Sequence, residues 1–185
     1  MFPLNSPNLM HPVHALPDTL LQRFRPMLGQ DFARYRNHVH RVFSHCLLLD
    51  REESHAAKYA VAAVFHDLGI WTDHTFDYLA PSVQQARRYL TEHGHADWTE
   101  EITLMIYWHH KLIPYRGQHA PLVETFRRAD WMDVTFGWVR FGVDRQQLRH
   151  VRRQWPNLGF HVFLVRETGK RLRRHPLHPL PMFRV

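Results

Sequence analysis

Residues 53–69 read ESHAAKYAVAAVFHDLG, and this stretch decides the predicted fold class. Its apolar side chains recur at spacings of three and four, which is the period of one face of an α-helix. Alanine is frequent here, and small side chains favour close packing against neighbouring helices. We therefore predict a helix over residues 53–68, ended by Gly69 in the left-handed conformation that is common just after a helix.

The same spacing continues on both sides of this stretch. Residues 31–49 place seven apolar side chains on one helical face, and residues 144–155 form a shorter helix with four arginines. Residues 70–80 show no clean period and predict a loop. Residue types that start and end helices mark further boundaries at Pro81, Gly94, Pro114 and Pro121. The expected fold is all-α, a helical bundle.

The length of 185 residues fits one domain with flanking segments. Four prolines within residues 1–17 predict an irregular lead-in, which we extend over residues 1–30. Residues 31–143 are predicted to form the helical core. Residues 144–185 are expected to be a basic C-terminal extension that packs on this core.

The composition excludes several classes of protein. Apolar residues make up 44% and charged residues 22%, which is ordinary for a soluble globular chain. No apolar run approaches the roughly 18 residues of a membrane span. The N-terminal residues lack the basic start and apolar centre of a secretory signal. A single cysteine, Cys46, excludes an intramolecular disulfide and a cysteine-rich metal site. We therefore expect a cytoplasmic protein with no membrane partner.

The charge is unevenly distributed along the chain. The formal net charge is +7, yet residues 145–185 alone carry ten Lys and Arg and one acid, a net of +9. The body is thus close to neutral and the extension is strongly basic. Such an extension suits nucleic acid, an anionic substrate or an acidic patch on the body, and it is equally consistent with an ordinary solvated surface.

Four polar residues fall on the inward faces of the predicted helices. His38 lies between the apolar positions of its helix, His66 and Asp67 end an otherwise apolar helix, and Asp130 follows Ala129. Burying carboxylates without a partner is very costly. A shared divalent ion explains the set best, and imidazole with carboxylate suits Mn, Fe, Co, Ni or Zn rather than Ca.

These residues stand within motifs that resemble the HD-domain superfamily of metal-dependent phosphohydrolases. The motifs are HVHRV at 38–42, VFHDLG at 64–69, WHH at 108–110 and AD at 129–130, and the resemblance covers about residues 31–135. It implies an all-helical fold with a metal between the helices, held by His38, His66, Asp67 and Asp130. It further implies hydrolysis of a phosphate ester in a small anionic substrate or nucleotide, through a metal-activated water.

The resemblance also suggests roles for residues outside the ligand set. Asp73, His109 and His110 are the candidate catalytic acids and bases. Arg41 and Lys111 are candidate substrate-binding residues. Each has a plainer reading, since Arg41 could pair with a structural carboxylate and Lys111 could simply be solvated. His40 points about 200° around the helix from His38 and is predicted not to be a ligand.

Two departures from the family pattern keep alternatives open. Ile70 stands where many members have a phosphate-binding lysine, and Ser82 stands where two-metal members have a histidine. We therefore predict one ion. A metal-dependent hydratase or a di-iron oxygenase on the same scaffold remains an alternative. The HHExxDGxGYP signature of cyclic-dinucleotide hydrolases is absent.

A non-catalytic, nucleic-acid-binding or ligand-binding protein is the third reading. Its basis is the set of arginines in the predicted helix over residues 144–155, with Trp155 as a residue that could stack on a base. The chain contains no recognisable base-reading module, which argues against this reading.

Overall fold

The computed structural model describes residues 12–73, 75 and 77–174, and all regular structure within them is helical. The all-α prediction is thereby confirmed. The α-helices are α1 Pro12–Gln22, α2 Arg25–Leu28, α3 Phe32–Leu49, α4 Glu53–Phe65, α5 Gly69–Thr72, α6 Leu79–Glu92, α7 Thr99–Trp108, α8 Ala120–Val134, α9 Arg145–Gln154 and α10 Phe160–Arg174. No helix in this part of the chain has the length and apolar character needed to cross a membrane.

The bundle is built around α3 and α4. Helix α3 packs against α4 and α8, and α4 also contacts α1, α6 and α7. Six successive residues of α4, from Ala60 to Phe65, are buried, so this helix has no broad polar face in its second half. The alanines make this possible, because side chains of one methyl group let four neighbours approach one helix, as the sequence predicted.

The N-terminal prediction is wrong for the described residues. Residues 12–28, expected to be irregular, form helices α1 and α2. Leu20 and Leu21 are buried in the core, and Asp18 accepts two hydrogen bonds from Arg36 on α3, both at 2.6 Å. Pro17 lies inside α1, and the sequence analysis predicted no helix here because proline normally disrupts a helix interior. Residues 1–11 lie outside the described part of the chain.

The C-terminal extension packs on the core through its two helices. Asp144 caps α9 by accepting a hydrogen bond from the Gln146 amide at 2.7 Å. Helix α10, which the sequence did not predict, buries Phe160 and packs Phe163 and Leu164 against the core. Leu172, further along the same helix, is 49% exposed. Residues 175–185 lie outside the described part of the chain.

Gly69 is required for a reason other than the predicted one. It does not end α4 in the left-handed conformation but begins α5, and its amide donates a hydrogen bond to Ser82 Oγ at 2.9 Å. A Cβ atom placed on Gly69 would lie 2.5 Å from the Tyr78 carbonyl oxygen and 2.9 Å from Pro81 Cβ. The glycine therefore sets the close approach of α5 to the start of α6.

We expect Gly69→Ala to lower the free energy of unfolding by about 2–3 kcal/mol, because the added methyl group meets backbone that cannot yield easily. Gly169→Ala is the matched control, since nothing lies within 4 Å of a Cβ at that position of α10. The control should gain about 0.5–1 kcal/mol, which is the usual advantage of alanine over glycine in a helix. Urea unfolding of both variants measures the difference. Equal stabilities would contradict the packing explanation.

Candidate metal centre

Four helices bring six buried or half-buried His and Asp side chains together at the centre of the bundle. Helix α3 contributes His38, and the residues that follow α4 contribute His66 and Asp67. The residues that follow α7 contribute His109 and His110, and α8 contributes Asp130. Every sequence-predicted metal ligand is therefore in this cluster. The donor atoms form three overlapping groups, each with all its atoms within 4.8 Å of one another.

The imidazole rings are oriented so that one nitrogen of each faces the cluster. His66 Nδ1 lies 2.8 Å from the Ala63 carbonyl oxygen, and His109 Nδ1 lies 2.6 Å from that of Ile106. A carbonyl only accepts, so each Nδ1 carries a proton, and in the neutral ring the lone pair is on Nε2. His38 Nδ1 makes the same kind of bond, at 2.7 Å, to a carboxylate oxygen of Asp133. Such bonds fix the ring orientation of metal-binding histidines.

The Nε2 atoms of these rings converge. His38 Nε2 and His66 Nε2 are 3.0 Å apart, and Asp67 Oδ2 lies 3.5 and 3.4 Å from them. Asp130 Oδ1 is 3.8 and 3.9 Å from the same two nitrogens. Ligands bound at about 2.0–2.2 Å to one ion lie about 3.0–4.4 Å from one another, according to the angle between them at the ion. The spacing of the donors therefore fits a shared ion.

Several polar atoms in the cluster have no hydrogen-bond partner although they are buried. They are Asp67 Oδ1, His109 Nε2 and Asp130 Oδ2, and His109 Nε2 is 3.4 Å from Asp67 Oδ1. A buried acceptor left without a donor costs about 1–3 kcal/mol. Three such acceptors in one place indicate a site for a cation. Nitrogen and oxygen donors together suit Mn, Fe, Co, Ni or Zn.

The two carboxyl groups differ in their metal-free electrostatics. Burial raises the pKa of both, but the neighbouring histidines outweigh it at Asp67 and hold its pKa well below the usual range. At Asp130 burial prevails and the pKa is raised. Burial lowers the pKa of His38, yet its hydrogen bonds to Asp133 and Asp67 prevail and raise it to about 9. In the absence of a cation, protons therefore compensate part of the negative charge.

Arg41 does not reach the cluster as a substrate-binding residue, and this corrects the sequence prediction. It is buried, and its Nε and Nη2 donate to the two carboxylate oxygens of Asp133 at 2.6 and 2.9 Å. Its Nη1 donates to the carbonyl oxygens of Trp155 and Pro156 at 3.1 and 3.2 Å. With these donors engaged, Arg41 is a structural partner of Asp133, the plainer of its two readings.

Asp133 is the functional residue that the sequence analysis missed. It is fully buried and accepts from both His38 and Arg41, so it links the cluster to the backbone that follows α9. Burial raises its pKa, but the hydrogen bond from His38 and the charge of Arg41 prevail and hold the pKa far below the usual range. The signal was present, since Asp133 lies three residues after Asp130 on the same helical face.

Three predicted site residues remain to be placed, namely His110, Asp73 and Lys111. His110 belongs to the cluster, with Nδ1 3.7 Å from Asp130 Oδ2 and Nε2 hydrogen-bonded to the Tyr78 hydroxyl. Asp73 is exposed, accepts a hydrogen bond from Thr72 Oγ1 at 2.6 Å, and belongs to none of the donor groups. Lys111 is mostly buried directly after His110, and burial lowers its pKa. Its role in substrate binding stays a prediction.

Two residues that the sequence analysis excluded as ligands, His40 and Ser82, belong to none of the donor groups. His40 faces away from the cluster, where its Nε2 is 2.9 Å from Asp18 Oδ1 and its ring stacks on Trp155 with 3.8 Å between centroids. Ser82 is buried and serves as the acceptor for the Gly69 amide. Neither residue is placed to donate to an ion in the cluster.

Aromatic rings cover the cluster on several sides. Phe160 of α10 stacks on His38 with ring centroids 4.1 Å apart, and Phe126 meets His66 edge-on at 5.6 Å.

Comparisons with protein-family models, with curated proteins and with solved structures found no match to this chain. What the cluster does is therefore inferred from its own residues.

Proposed function

We propose that this protein is a metal-dependent hydrolase of the HD-domain type that cleaves a phosphate ester in a small anionic molecule or nucleotide. One observation carries the proposal: the inward-facing Nε2 atoms of the histidines and the unpartnered carboxylate oxygens converge in a buried site. The order of these residues along the chain, H…HD…D, matches the motifs of that superfamily. The proposed site holds one divalent transition ion.

The proposed ligands are His38, His66, Asp67 and Asp130. Carbonyl and carboxylate acceptors hold the Nδ1 protons of both histidines, so each Nε2 faces the site without reorientation. When bound, a divalent transition ion lowers the pKa of its water ligand toward 7 and neutralises charge on phosphoryl oxygens. The aromatic rings of Phe160 and Phe126 reduce access of bulk water, which strengthens every charge interaction inside the site.

His109 and His110 are the proposed proton carriers. His109 Nε2 faces Asp67 Oδ1, and the Asp67 and Asp130 carboxylates prevail over burial to raise its pKa. His110 shares a hydrogen bond with the Tyr78 hydroxyl, and burial together with the charge of His109 holds the pKa of His110 well below the usual range, so it is suited to accept a proton rather than to donate one. A histidine beside the reacting phosphate would protonate the leaving oxygen. Geometry favours these two residues over the exposed Asp73 for proton transfer.

The first test is the metal content of protein purified without chelator. We expect about one transition ion per chain, and release of phosphate from a chromogenic phosphate ester that a chelator stops and Mn or Co restores. His38→Gln should lose the ion and the activity. His40→Gln is the matched control on the same helix and should keep both. Protein that binds no transition ion, before or after addition of Mn, Co, Fe or Zn, would overturn the proposal.

A hydratase or oxygenase on the same scaffold is the second candidate. Two observations favour it: Ile70 is apolar and buried where a phosphate-binding lysine would stand, and the three donor groups together contain six side chains, more than one ion requires. The same metal analysis separates the candidates. Two irons per chain together with oxygen uptake would establish the oxygenase, and turnover without phosphate release would favour the hydratase.

A further inference from the structure

A groove separate from the metal centre lies between α9 and the turn at residues 135–144. Its cavity has a volume of about 300 Å³, and the side chains that line it are Phe136, Trp138, Arg145, Leu148, Arg149 and Arg152. We call it the basic-aromatic groove. It contains three arginines, and none of its lining residues is acidic. Three neighbouring arginines with no acidic residue in the lining suit an anionic ligand.

The arginines lie on one face of α9 at positions i, i+4 and i+7, about 10 Å from first to last. None of the three makes an ion pair with a carboxylate of the described residues. Arg152 Nη2 is buried and without a hydrogen-bond partner, beside Gly137. Burial lowers the pKa of Arg152. A guanidinium in such a place gains from an anion more than a solvated surface arginine does.

The turn before α9 presents aromatic rings to solvent. Phe136 and Gly137 both have a left-handed backbone, with φ of 54° and 68°, which is unfavourable for phenylalanine. His161 stacks on Phe136 with 3.9 Å between ring centroids and holds it in place. Trp138 is 89% exposed. Trp155, the stacking residue suggested by the sequence, is not free for this role, because His40 stacks on it.

The groove continues along α9 into a second cavity of about 460 Å³. Arg149 lines both cavities, and the second adds His150 and Arg153. The carboxylate of Asp144 also borders it, but that group already caps the helix. The cations therefore follow a line rather than a single point. A line of cations matches successive phosphates of a polymer better than it matches one small ion.

We propose that the basic-aromatic groove binds single-stranded nucleic acid, with the phosphates against the α9 arginines and a base stacked on Trp138. Grooves of this kind combine backbone-tracking cations with aromatic platforms. A single strand offers the face of its bases to Trp138, whereas a duplex keeps those faces stacked inside. The proposal does not depend on the hydrolase function, because the groove contains none of the metal-centre residues.

The test measures fluorescence anisotropy of a labelled single-stranded 12-mer, with the full chain and a chelator present. Trp138→Ala should weaken binding about tenfold. The control Tyr107→Ala removes another exposed aromatic side chain, on α7, and should bind as the parent does. Arg145→Glu with Arg149→Glu should weaken binding more than tenfold and flatten the salt dependence by about 1.4 in slope. The control Arg88→Glu, exposed on α6, should leave the slope unchanged.

Four outcomes would overturn the proposal. They are no binding at 50 mM salt, equal affinity for duplex and single strand, full affinity in Trp138→Ala, and competition by a mononucleotide at the concentration of the 12-mer. The last would indicate a small-molecule pocket instead. Asp67→Asn should bind the 12-mer as the parent does, so failure of the hydrolase proposal and failure of this one are distinguishable.

Discussion

Asp67→Asn should lose the ion of the proposed site and the proposed hydrolase activity while keeping its fold. Asparagine has the shape of aspartate, but it supplies one neutral oxygen where the carboxylate faces three imidazole nitrogens within 3.5 Å. Loss of a residue that merely orients a ligand lowers metal affinity about 10–100-fold, and loss of the ligand itself should exceed that. We expect less than about a tenth of the parent's metal content and a fall in turnover of at least about 100-fold.

Elemental analysis, circular dichroism and phosphate release measure these three properties on one preparation. Asp97→Asn is the matched control, because Asp97 is exposed in the turn before α7 and the substitution makes the same chemical change outside the site. The control should retain metal and turnover. Full metal content in Asp67→Asn would show that the ligand set is wrong. Full metal content with lost turnover would instead make Asp67 a catalytic group rather than a ligand.

Periodicity singled out the candidate ligands, and the structure shows why it placed them in one buried cluster. His38, His66 and Asp130 each lie on the buried face of a long helix or at its end. Apolar residues recur on such a face with the helical period of 3.6 residues, because the face packs against neighbouring helices. A polar side chain at one of these buried positions needs a partner inside the core. The same reasoning placed His40 outside the site, although it is only two residues from His38.

The failures have equally local causes. Helix α1 contains Pro17 and helix α10 contains Gly169, and both residues weaken a helix prediction that depends on sequence alone. Tertiary contacts override that weakness, since Leu20, Leu21 and Phe160 are buried. Periodicity also cannot show which of the two buried carboxylates of α8, Asp130 or Asp133, accepts hydrogen bonds from Arg41. Arg41 was assigned to substrate because its partner, Asp133, is 92 residues away in the chain.

Asp133 connects the metal centre to the basic-aromatic groove through the backbone. Its carboxylate holds His38 and Arg41, its carbonyl oxygen lies 3.0 Å from His161 Nε2, and the same carbonyl accepts from the Phe136 amide, also at 3.0 Å. The turn that presents Phe136 is therefore anchored on the residue that orients a metal ligand. The two sites share this one support, although they have no lining residue in common.

Asp133→Asn is expected to be the most destabilising substitution near the site. The new side chain has one accepting oxygen in place of two, so in either orientation its NH₂ group meets an N–H donor of His38 or Arg41. Arg41 would remain buried beside it without a counter-charge, and breaking a buried ion pair in this way costs about 3–5 kcal/mol. The acceptor that orients His38 would also be weakened or lost, so metal affinity should fall about 10–100-fold.

The double variant Arg41→Met with Asp133→Asn separates these effects. Removing the arginine removes the unpaired charge, so the double variant should be more stable in urea than Asp133→Asn alone. The asparagine oxygen is then free to accept from His38, and metal affinity should recover in part. A double variant no more stable than the single one would show that the lost stability does not come from the buried charge of Arg41.

Acid unfolding gives an independent readout of the same residue. The folded-state pKa of Asp133 lies below its unfolded value, which is about 3.9, because His38 and Arg41 favour the carboxylate. Its contribution to stability is fully present above the unfolded value and is lost progressively as the pH falls from there toward the folded-state pKa, since the unfolded chain binds the proton first. Asp133→Asn lacks this contribution at every pH. The gap in unfolding free energy between the parent and Asp133→Asn should therefore narrow below about pH 4. A gap that stays constant down to about pH 2 would mean that Asp133 is stabilised by packing alone, and that the ion pair to Arg41 adds nothing to the fold.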